Sequence, residues 1–335
     1  MFDAEKYSKR FKEKAYTTQG VYSQPGNLPL IITAPHGGLS KPETIPDRTR
    51  DGSLLLADMH TKEIALGIGE FVSDHYRSAP HVISNDISRR KADVNRPLQD
   101  GAETDAGERV WREYHQSVQF SVEKVLKSNR SGLLVDIHGH THFDGAIELG
   151  YLLSLEELQS KSVILDQIIL EKSSIRQFAK RHGKTTPHKL LYYFGDLIAA
   201  SSENHIAVSP SSHMPIPLDK NYFVGGFTTQ YYHNLWNGLD VIQVEIPRHL
   251  RLHEKNRRLV IKVVSLAIIN MLDRYYIKHG IARNLFSGQA KLKEGNEMKV
   301  EVKATSIGTS GCRVASSTRQ HCVGSSRSLK KLLKP

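Results

Sequence analysis

Residues 132–142 read GLLVDIHGHTH, an apolar run that passes directly into a cluster of carboxylate and imidazole side chains. Short apolar runs of this kind are typical of strands that are buried on both faces of a sheet. Residues two apart on a strand point the same way, so Asp136, His138 and His140 are expected on one face. Imidazole is the commonest protein ligand of zinc and a usual proton carrier near neutral pH. The stretch predicts a buried strand with a chemically active end, although an exposed loop can also carry three histidines.

Apolar runs and helical patterns alternate along the chain on both sides of this stretch. Further strands are predicted at 27–34, 81–88, 146–154 and 238–251, and helices at 54–76, 107–127, 155–181 and 253–278. Residues 201–226 are rich in Ser, Pro and Gly and predict an irregular segment. This alternation favours an α/β fold, a single three-layer domain with a central β-sheet flanked by helices.

The character of the chain changes near residue 283. From Arg283 to the end there are 11 Lys or Arg residues and three Glu, so most of the net charge of +11 belongs to this Ser-rich segment. We expect a catalytic domain at 1–282 and a basic, disordered tail at 283–335. Confinement of the basic excess to the tail argues against specific nucleic-acid binding.

Composition also limits location and metal chemistry. Hydrophobic residues make up 39% and charged residues 24% of the 335 residues, as in ordinary soluble globular proteins. The charged N-terminus and the lack of a long apolar run predict a cytoplasmic protein with no membrane partner. Both cysteines, Cys312 and Cys322, fall in the tail, so a metal site in the body must use His and carboxylate ligands.

Polar residues follow several of the predicted strands. His36 ends the first run, His138 ends the third, and Glu245 lies inside the last, where burial of an acid needs a partner. The segment after the second strand, SRRKADVNRP, carries Arg89, Asn95 and Arg96. Sites in α/β sheets form beyond the carboxyl ends of strands, so these residues predict a mononuclear zinc site with a carboxylate-binding pocket.

Six stretches in order resemble the motifs of N-formylglutamate amidohydrolases. They are TAPHGG (33–38), DVNRP (93–97), VDIHGH (135–140), IELGY (147–151), VGGFTTQYY (224–232) and VIQVEIPRHLR (241–251), and the likeness spans roughly residues 25 to 275. That family is similar in fold to zinc carboxypeptidases and aspartoacylases. The resemblance implies a mixed sheet of about eight strands with helices on both faces.

The resemblance also implies roles for particular residues. His36 and His138 would bind Zn²⁺, Glu245 would be the general base, and Arg89 would stabilise the oxyanion. The substrate-binding set would be Asn95, Arg96, Gly225, Gly226 and His140. Among these, Asn95 and Arg96 would grip a substrate carboxylate, and the two glycines would let backbone approach the ligand.

Three assignments stay open at this point. Zinc carboxypeptidases carry Glu three residues after the first His, where this chain has Leu39. Asp58 is our choice for the missing carboxylate ligand, with Glu43 and Glu63 as alternatives, and Asp58 also suits a helix N-cap. Glu148 is the alternative general base, or it orients a histidine ligand. Asp136 is expected to orient a histidine ligand.

The expected function is hydrolysis of an N-formyl or other small N-acyl amino acid, such as N-formylglutamate, by a zinc-dependent amidohydrolase. A metallocarboxypeptidase-like peptidase is the alternative, and a non-enzymatic nucleic-acid-binding protein is a third, suggested only by a pI near 9.5. The partner is a small acyl amino acid. The acyl group, the amino acid and the oligomeric state do not follow from the sequence.

Overall fold

The computed structural model describes residues 16–18, 20–143 and 145–277, and within them eight strands form one mixed sheet. The strands are β1 (Tyr16–Thr18), β2 (Val21–Gln24), β3 (Leu30–Ala34), β4 (His81–Asn85), β5 (Gly132–His140), β6 (Ile147–Gly150), β7 (Val208–Ser209) and β8 (Leu239–Pro247). Their order is β1-β2-β4-β3-β5-β8-β6-β7. Strands β4, β3, β5 and β8 run parallel, whereas β2 and β6 pair antiparallel with β4 and β8.

Helices connect most of these strands, as parallel pairing requires. They are α1 (Thr61–Tyr76), α2 (Leu98–Gly101), α3 (Asp105–Ser128), α4 (Leu155–Leu158), α5 (Ser162–Lys172), α6 (Arg176–Arg181), α7 (Pro187–Ser201), α8 (Phe227–Leu235), α9 (Arg248–Leu252) and α10 (Glu254–Met271). One π-helical segment (Leu272–Tyr276) follows α10 directly.

The sheet separates two hydrophobic cores because alternate strand residues point to opposite faces. Ile32, Val135 and Val244 belong to the core that includes α1, α7 and α10. Ile31, Leu134 and Val241, at alternate positions of the same strands, belong to the other core with α3. Helices therefore cover both faces of the sheet, and the predicted three-layer α/β domain is confirmed.

Several predicted elements have different bounds in the structure. The helix predicted at 54–76 begins at residue 61, and the long helix predicted at 155–181 is three separate helices. Ser154 caps the first of the three by a capping box with Glu157, and buried Ser173 and Ser174 interrupt the pattern before the third. Periodicity continued across these breaks, so it did not reveal them.

Other predictions concern features beyond the sheet. Residues 202–226 are mostly irregular, as expected, apart from the two-residue strand β7. No helix within the described ranges is both long and apolar enough to cross a bilayer. The domain boundary at residue 282 and the basic tail lie outside the described residues, so both stay predictions.

Candidate metal centre

Polar residues replace the core on one face of the sheet near the carboxyl ends of β3, β5 and β8. These strands are adjacent and parallel, and His138 pairs in register with Glu245. Their first halves place apolar residues towards α3, whereas the later residues on that face are polar: Thr33, Asp136, His138, Gln243 and Glu245. The sheet thus carries a buried polar patch where its central strands end.

His36, Asp58 and His138 form the centre of this patch. Asp58 Oδ2 lies 3.4 Å from His36 Nδ1 and 3.3 Å from His138 Nδ1, and the three possible ligand atoms lie within 4.8 Å of one another. His36 Nδ1 is buried and makes no hydrogen bond. Two imidazole nitrogens and one carboxylate oxygen are the donor set of many zinc sites, so these residues fit a zinc ion.

A second carboxylate lies behind each histidine. Asp93 Oδ1 is 2.8 Å from His36 Nε2, and Asp136 Oδ2 is 2.9 Å from His138 Nε2. A carboxylate at Nε2 holds the proton there and leaves the Nδ1 lone pair for a metal. The structure thus places Asp136 in the orienting position that we expected, and it adds Asp93 in the same position for His36.

The carboxylates and imidazoles of the centre shift one another's pKa. Burial works to raise the pKa of Asp58, but the imidazoles of His138 and His36 outweigh it and hold that pKa well below its usual range. Burial opposes the charged form of His138, yet Asp136 and Asp58 raise its pKa well above the usual value. The pocket therefore favours positive charge between these groups, and a divalent cation meets that preference.

The structure separates Asp58 from its rivals. Glu43 is exposed and outside the ligand group, and Glu63 is exposed on α1, where it contacts His60. The N-cap of α1 is His60 rather than Asp58. Asp58 instead precedes the helix in a loop and accepts a hydrogen bond from Gly139 N at 3.2 Å. Of the candidates weighed, Asp58 alone lies with both histidines.

Glu245 lies beside the centre with one oxygen unused. Its Oε1 is 4.0 Å from His138 Nδ1 and accepts a hydrogen bond from Gln243 Nε2 at 3.0 Å. Its Oε2 is buried without a hydrogen-bond partner. Burial, helped by the nearby carboxylates of Asp58 and Glu148, raises the pKa of Glu245 to about 8. A carboxyl group with a pKa near neutrality can both accept and donate a proton in turnover.

Glu148 pairs with Glu245 across strands β6 and β8, but it is engaged differently. Its Oε1 is 2.7 Å from His142 Nδ1, and its Oε2 accepts from Phe223 N at 3.0 Å. His140, His142 and Glu148 also lie within metal-binding distance of one another. Here His140 Nε2 and Nδ1, His142 Nδ1 and both Glu148 oxygens already have hydrogen-bond partners, unlike His36 Nδ1 in the first group. We therefore treat this second group as a hydrogen-bonded network.

Both ring nitrogens of His140 have hydrogen-bond partners. Its Nε2 lies 2.8 Å from the carbonyl oxygen of Ala146, and its Nδ1 accepts from His142 N at 3.1 Å. The contact of His140 with substrate stays a prediction, and both ring nitrogens already have partners in this structure. The ring connects the end of β5 to the loop before β6.

The predicted carboxylate clamp is divided between a held and a free side chain. Asn95 is buried, its Oδ1 accepts from Thr228 N at 2.7 Å, and its Nδ2 is 3.4 Å from His138 Nε2. Arg96 is half-buried and makes no side-chain hydrogen bond or ion pair within the described residues. Asn95 is thus hydrogen-bonded to the start of α8, whereas the Arg96 guanidinium has no partner among the described residues.

Arg89 is connected to His36 through Asp93. Its Nε donates to Asp93 Oδ2 at 2.7 Å, and Arg48 Nη1 is 3.8 Å from the same oxygen. Burial acts to raise the pKa of Asp93, but His36 and Arg89 outweigh it and hold that pKa well below its usual range. Arg89 therefore stabilises the carboxylate that orients His36, and no hydrogen bond from its two terminal nitrogens occurs within the described residues.

The two predicted glycines have a packing reason in this structure. Gly225 has φ +129°, which L side chains rarely adopt, and a Cβ at Gly226 would lie 2.4 Å from Asn95 Nδ2. Glycine is needed at 226 because the backbone there lies close to the Asn95 side chain. Gly226 N also donates to Gln243 Oε1 at 2.6 Å.

Sequence reasoning gave no role to three residues of this region. Asp93 was part of the quoted DVNRP motif, and its proximity to Arg89 and Asn95 was the available signal. Gln243 could have been found because it precedes Glu245 by two residues and so shares its strand face. Arg251 ends the quoted VIQVEIPRHLR motif, but the motif did not indicate that this side chain contacts several site loops, because its burial depends on the fold.

Comparison with known proteins finds only distant likeness. No protein-family model and no curated protein matches the chain. Similar solved structures include N-formylglutamate amidohydrolase from Ralstonia eutropha JMP134, with 12% identity, TM-score 0.48, and coverage of 77% of this chain and 98% of that one. A gene product of Agrobacterium tumefaciens has 14% identity, TM-score 0.44, and coverage of 79% and 99%. N-acetylmuramoyl-L-alanine amidase from Clostridium difficile 630 has 13% identity, TM-score 0.31, and coverage of 74% and 98%. TM-scores below 0.5 decide neither family nor function, so the functional argument rests on the residues of this chain.

Proposed function

We propose that this protein is a zinc-dependent amidohydrolase that removes the formyl group, or another small acyl group, from an N-acyl amino acid such as N-formylglutamate. The observation that carries the proposal is the buried, unpaired Oε2 of Glu245 next to the His36–Asp58–His138 group. A carboxyl group poised near neutral pH beside a metal-binding set is the pairing that metal-assisted hydrolysis needs.

His36, Asp58 and His138 would hold the ion through Nδ1, Oδ2 and Nδ1. Asp93 and Asp136 keep the Nε2 protons of the two histidines in place and so keep both Nδ1 lone pairs directed at the ion. A bound Zn²⁺ supplies a Lewis acid that polarises an amide carbonyl and activates water at neutral pH.

Glu245 moves the proton in this scheme. Its Oε2 accepts a proton from the attacking water, and the same carboxyl group then donates it to the nitrogen of the breaking C–N bond. The products are formate, or another small carboxylate, and the free amino acid. Gln243 holds Oε1 through its amide, so the carboxyl group keeps one orientation while Oε2 exchanges the proton.

Arg96 and Arg89 would serve the substrate. The free guanidinium of Arg96 can bind a substrate carboxylate through two parallel hydrogen bonds, and Asn95 fixes the loop that carries it. Arg89 would stabilise the negative charge that develops on the carbonyl oxygen, using its terminal nitrogens while its Nε stays on Asp93.

A peptidase of the metallocarboxypeptidase type is the second candidate, and exposed apolar residues favour it. Leu56 is 80% exposed and lies two residues before Asp58, Phe143 follows His142, and Leu218 precedes Asp219, which is 3.9 Å from His142. Apolar groups on loops around a site suit a substrate larger than a formyl group.

The test is a hydrolysis screen with metal-stripped and zinc-loaded protein. N-formyl, N-acetyl and longer N-acyl amino acids are compared with dipeptides, and release of free amine is measured. Turnover that requires metal and falls with acyl length supports the proposal. Turnover of dipeptides alone moves the assignment to a peptidase, and equal results for stripped and loaded protein remove both candidates.

A further inference from the structure

Arg251 joins three segments that carry the candidate metal centre. It lies on α9 and is 4% exposed. Its Nε donates to the carbonyl oxygen of Ile246 at 2.8 Å, its Nη1 to that of Met59 at 2.6 Å, and its Nη2 to that of His140 at 3.2 Å. One planar guanidinium thus binds the loop before α1, the end of β5 and the end of β8.

Each of the three carbonyls is close in sequence to a residue of the site. Met59 follows Asp58, Ile246 follows Glu245, and His140 is two residues beyond His138. Strands β5 and β8 pair with each other along their whole length. The loop of Asp58 takes no part in that pairing. Arg251 links that loop to both strands, in addition to the hydrogen bond from Gly139 N to Asp58 Oδ2.

The close fit extends to the backbone of β5. A Cβ at Gly139 would lie 2.2 Å from Arg251 Nε and 2.4 Å from its Cζ, so the guanidinium lies directly against this glycine. The amide of the same glycine donates to Asp58 Oδ2 at 3.2 Å. Gly139 thus contacts the guanidinium and the metal-ligand carboxylate at once.

The charge of Arg251 has no direct carboxylate partner in the described part of the chain. Burial lowers its pKa, and the negative charges of Asp58 and Glu245 act against that. Guanidinium remains protonated in proteins, so a full positive charge is kept beneath the site. Removing the guanidinium takes a donor away from three carbonyl oxygens, and two of these hydrogen bonds are buried.

We propose that Arg251 is a positioning residue that sets the place of Asp58 relative to His138 and Glu245. The role in turnover rests on the proposed function, whereas the role in metal binding does not. A lysine keeps the charge but cannot reach three carbonyls with the fixed geometry of the guanidinium, and a glutamine loses the charge as well.

The test compares Arg251→Lys and Arg251→Gln with Arg258→Lys, a surface arginine that pairs with Glu254 on α10. Cooperative thermal unfolding checks the fold. The metal dissociation constant is measured by competition with a chelating dye, and the absorption spectrum of the Co²⁺-substituted protein reports ligand geometry.

We expect metal affinity to decrease in the order Arg, Lys, Gln, with a loss of about 10- to 100-fold in the folded variants, as for other residues that orient metal ligands. The Co²⁺ spectrum changes, and the fold decrease in kcat is larger than the fold change in KM. Arg258→Lys behaves as the parent protein.

Wild-type metal affinity and Co²⁺ spectrum in Arg251→Lys and Arg251→Gln overturn the positioning role. Failure of both variants to unfold cooperatively also overturns it and makes Arg251 a residue of the fold. If the parent protein hydrolyses no amide but the metal readouts change as expected, the proposed function fails and the positioning role stands.

Discussion

At the scale of single residues, each histidine of the candidate centre has a carboxylate against its Nε2. Asp136 is fully buried, with Oδ2 on His138 Nε2 and Oδ1 accepting from Thr33 Oγ1 at 2.6 Å. The hydroxyl and the imidazole each take one oxygen, so the carboxylate has one orientation. Such a carboxylate raises the basicity of the metal-binding nitrogen.

We expect Asp136→Asn to weaken metal binding by about 10- to 100-fold, because the amide can place a donor against His138 Nε2 and favour the wrong tautomer. Asp166→Asn is the matched control. Asp166 Oδ1 also lies 2.9 Å from a histidine nitrogen, Nδ1 of His188, but this pair is not part of the candidate centre. Metal content after dialysis measures both. Equal retention in the two variants would show that Asp136 does not orient a ligand.

A second residue-scale prediction concerns the proton carrier. Glu245→Gln should retain metal and lose about 10²- to 10⁴-fold in kcat, the usual contribution of general acid–base catalysis. Glu148→Gln is the matched variant on the neighbouring strand, and we expect a smaller loss because both Glu148 oxygens serve hydrogen bonds. Steady-state kinetics on the best substrate of the screen measure both. The reverse ranking would assign the base to Glu148.

The sequence identified some residues of this region better than others. His36 and His138 were chosen at strand ends and Asp58 near the start of a predicted helix, and the structure brings all three together. His140 was chosen because it shares a face with His138, yet local hydrogen bonds to Ala146 and His142 take its nitrogens. Strand alternation gives direction, but it does not give the partner.

At the scale of elements, the start of α8 is held against the loop that carries Asn95. Thr228 N donates to Asn95 Oδ1, and Gly226 N donates to Gln243 Oε1. These bonds satisfy amides of the first helical turn, which have no partner inside a helix. The helix start, the loop and β8 therefore form one hydrogen-bonded unit beside the candidate metal centre.

Gly226→Ala should disturb this unit, since its Cβ would lie 2.4 Å from the buried Asn95 amide. Overpacking of this kind costs about 1 to 3 kcal/mol of unfolding free energy. Gly183→Ala is the control, because its Cβ meets nothing closer than Lys180 O at 3.7 Å. Urea unfolding midpoints measure the difference, and equal midpoints would mean that Asn95 moves aside at little cost.

Element bounds show where pattern and structure separate. Helical spacing began at residue 54, but α1 begins at residue 61, because the preceding loop turns back so that Asp58 N donates to His36 O at 2.9 Å. His60 adopts φ +69° at the junction. The loop is set by contacts with residues 22 positions earlier, which a local periodicity cannot include.

At the scale of the whole molecule, buried histidines connect stability to pH. Burial lowers the pKa of His81 and of His115 to about 4. His115 uses Nε2 on Val94 O at 2.9 Å and Nδ1 on Tyr232 Oη at 2.7 Å, so the neutral ring satisfies both contacts. The unfolded chain binds these protons at a pKa near 6.5. This stability is present above pH 6.5 and is lost as the pH falls towards 4, by up to about 3 kcal/mol per histidine.

His81→Gln should therefore reduce the loss of unfolding free energy between pH 7 and pH 4.5, because one buried group no longer gains a proton on unfolding. His205→Gln, at an exposed position, should leave that loss unchanged. Urea titrations at the two pH values give the comparison. An unaltered pH dependence in His81→Gln would mean that other groups control acid sensitivity.

The three-layer fold followed from the alternation of strands and helices, because buried strands and amphipathic helices have distinct periods. The sheet edges did not follow from it. Strands β1 and β2 were not predicted, since short edge strands lack a long apolar period. The 15-residue helix α7 was also missed, although buried Leu190, Phe194 and Ile198 recur in it at helical spacing. The burial of Arg251 could not be predicted either, because it depends on three segments that come together only in the folded domain.

The position of β8 has a consequence for the order in which the protein is made. This strand is the last of the eight in the sequence of the described residues, yet it lies between β5 and β6. A growing chain that has not reached residue 239 leaves both neighbours as open edges, which attract other strands. Glu245 lies on the strand that closes this gap, and Arg251 follows it directly on α9. Closure of the central sheet and completion of the candidate centre therefore occur in one step, and until then the exposed edges of β5 and β6 are open to pairing with other strands.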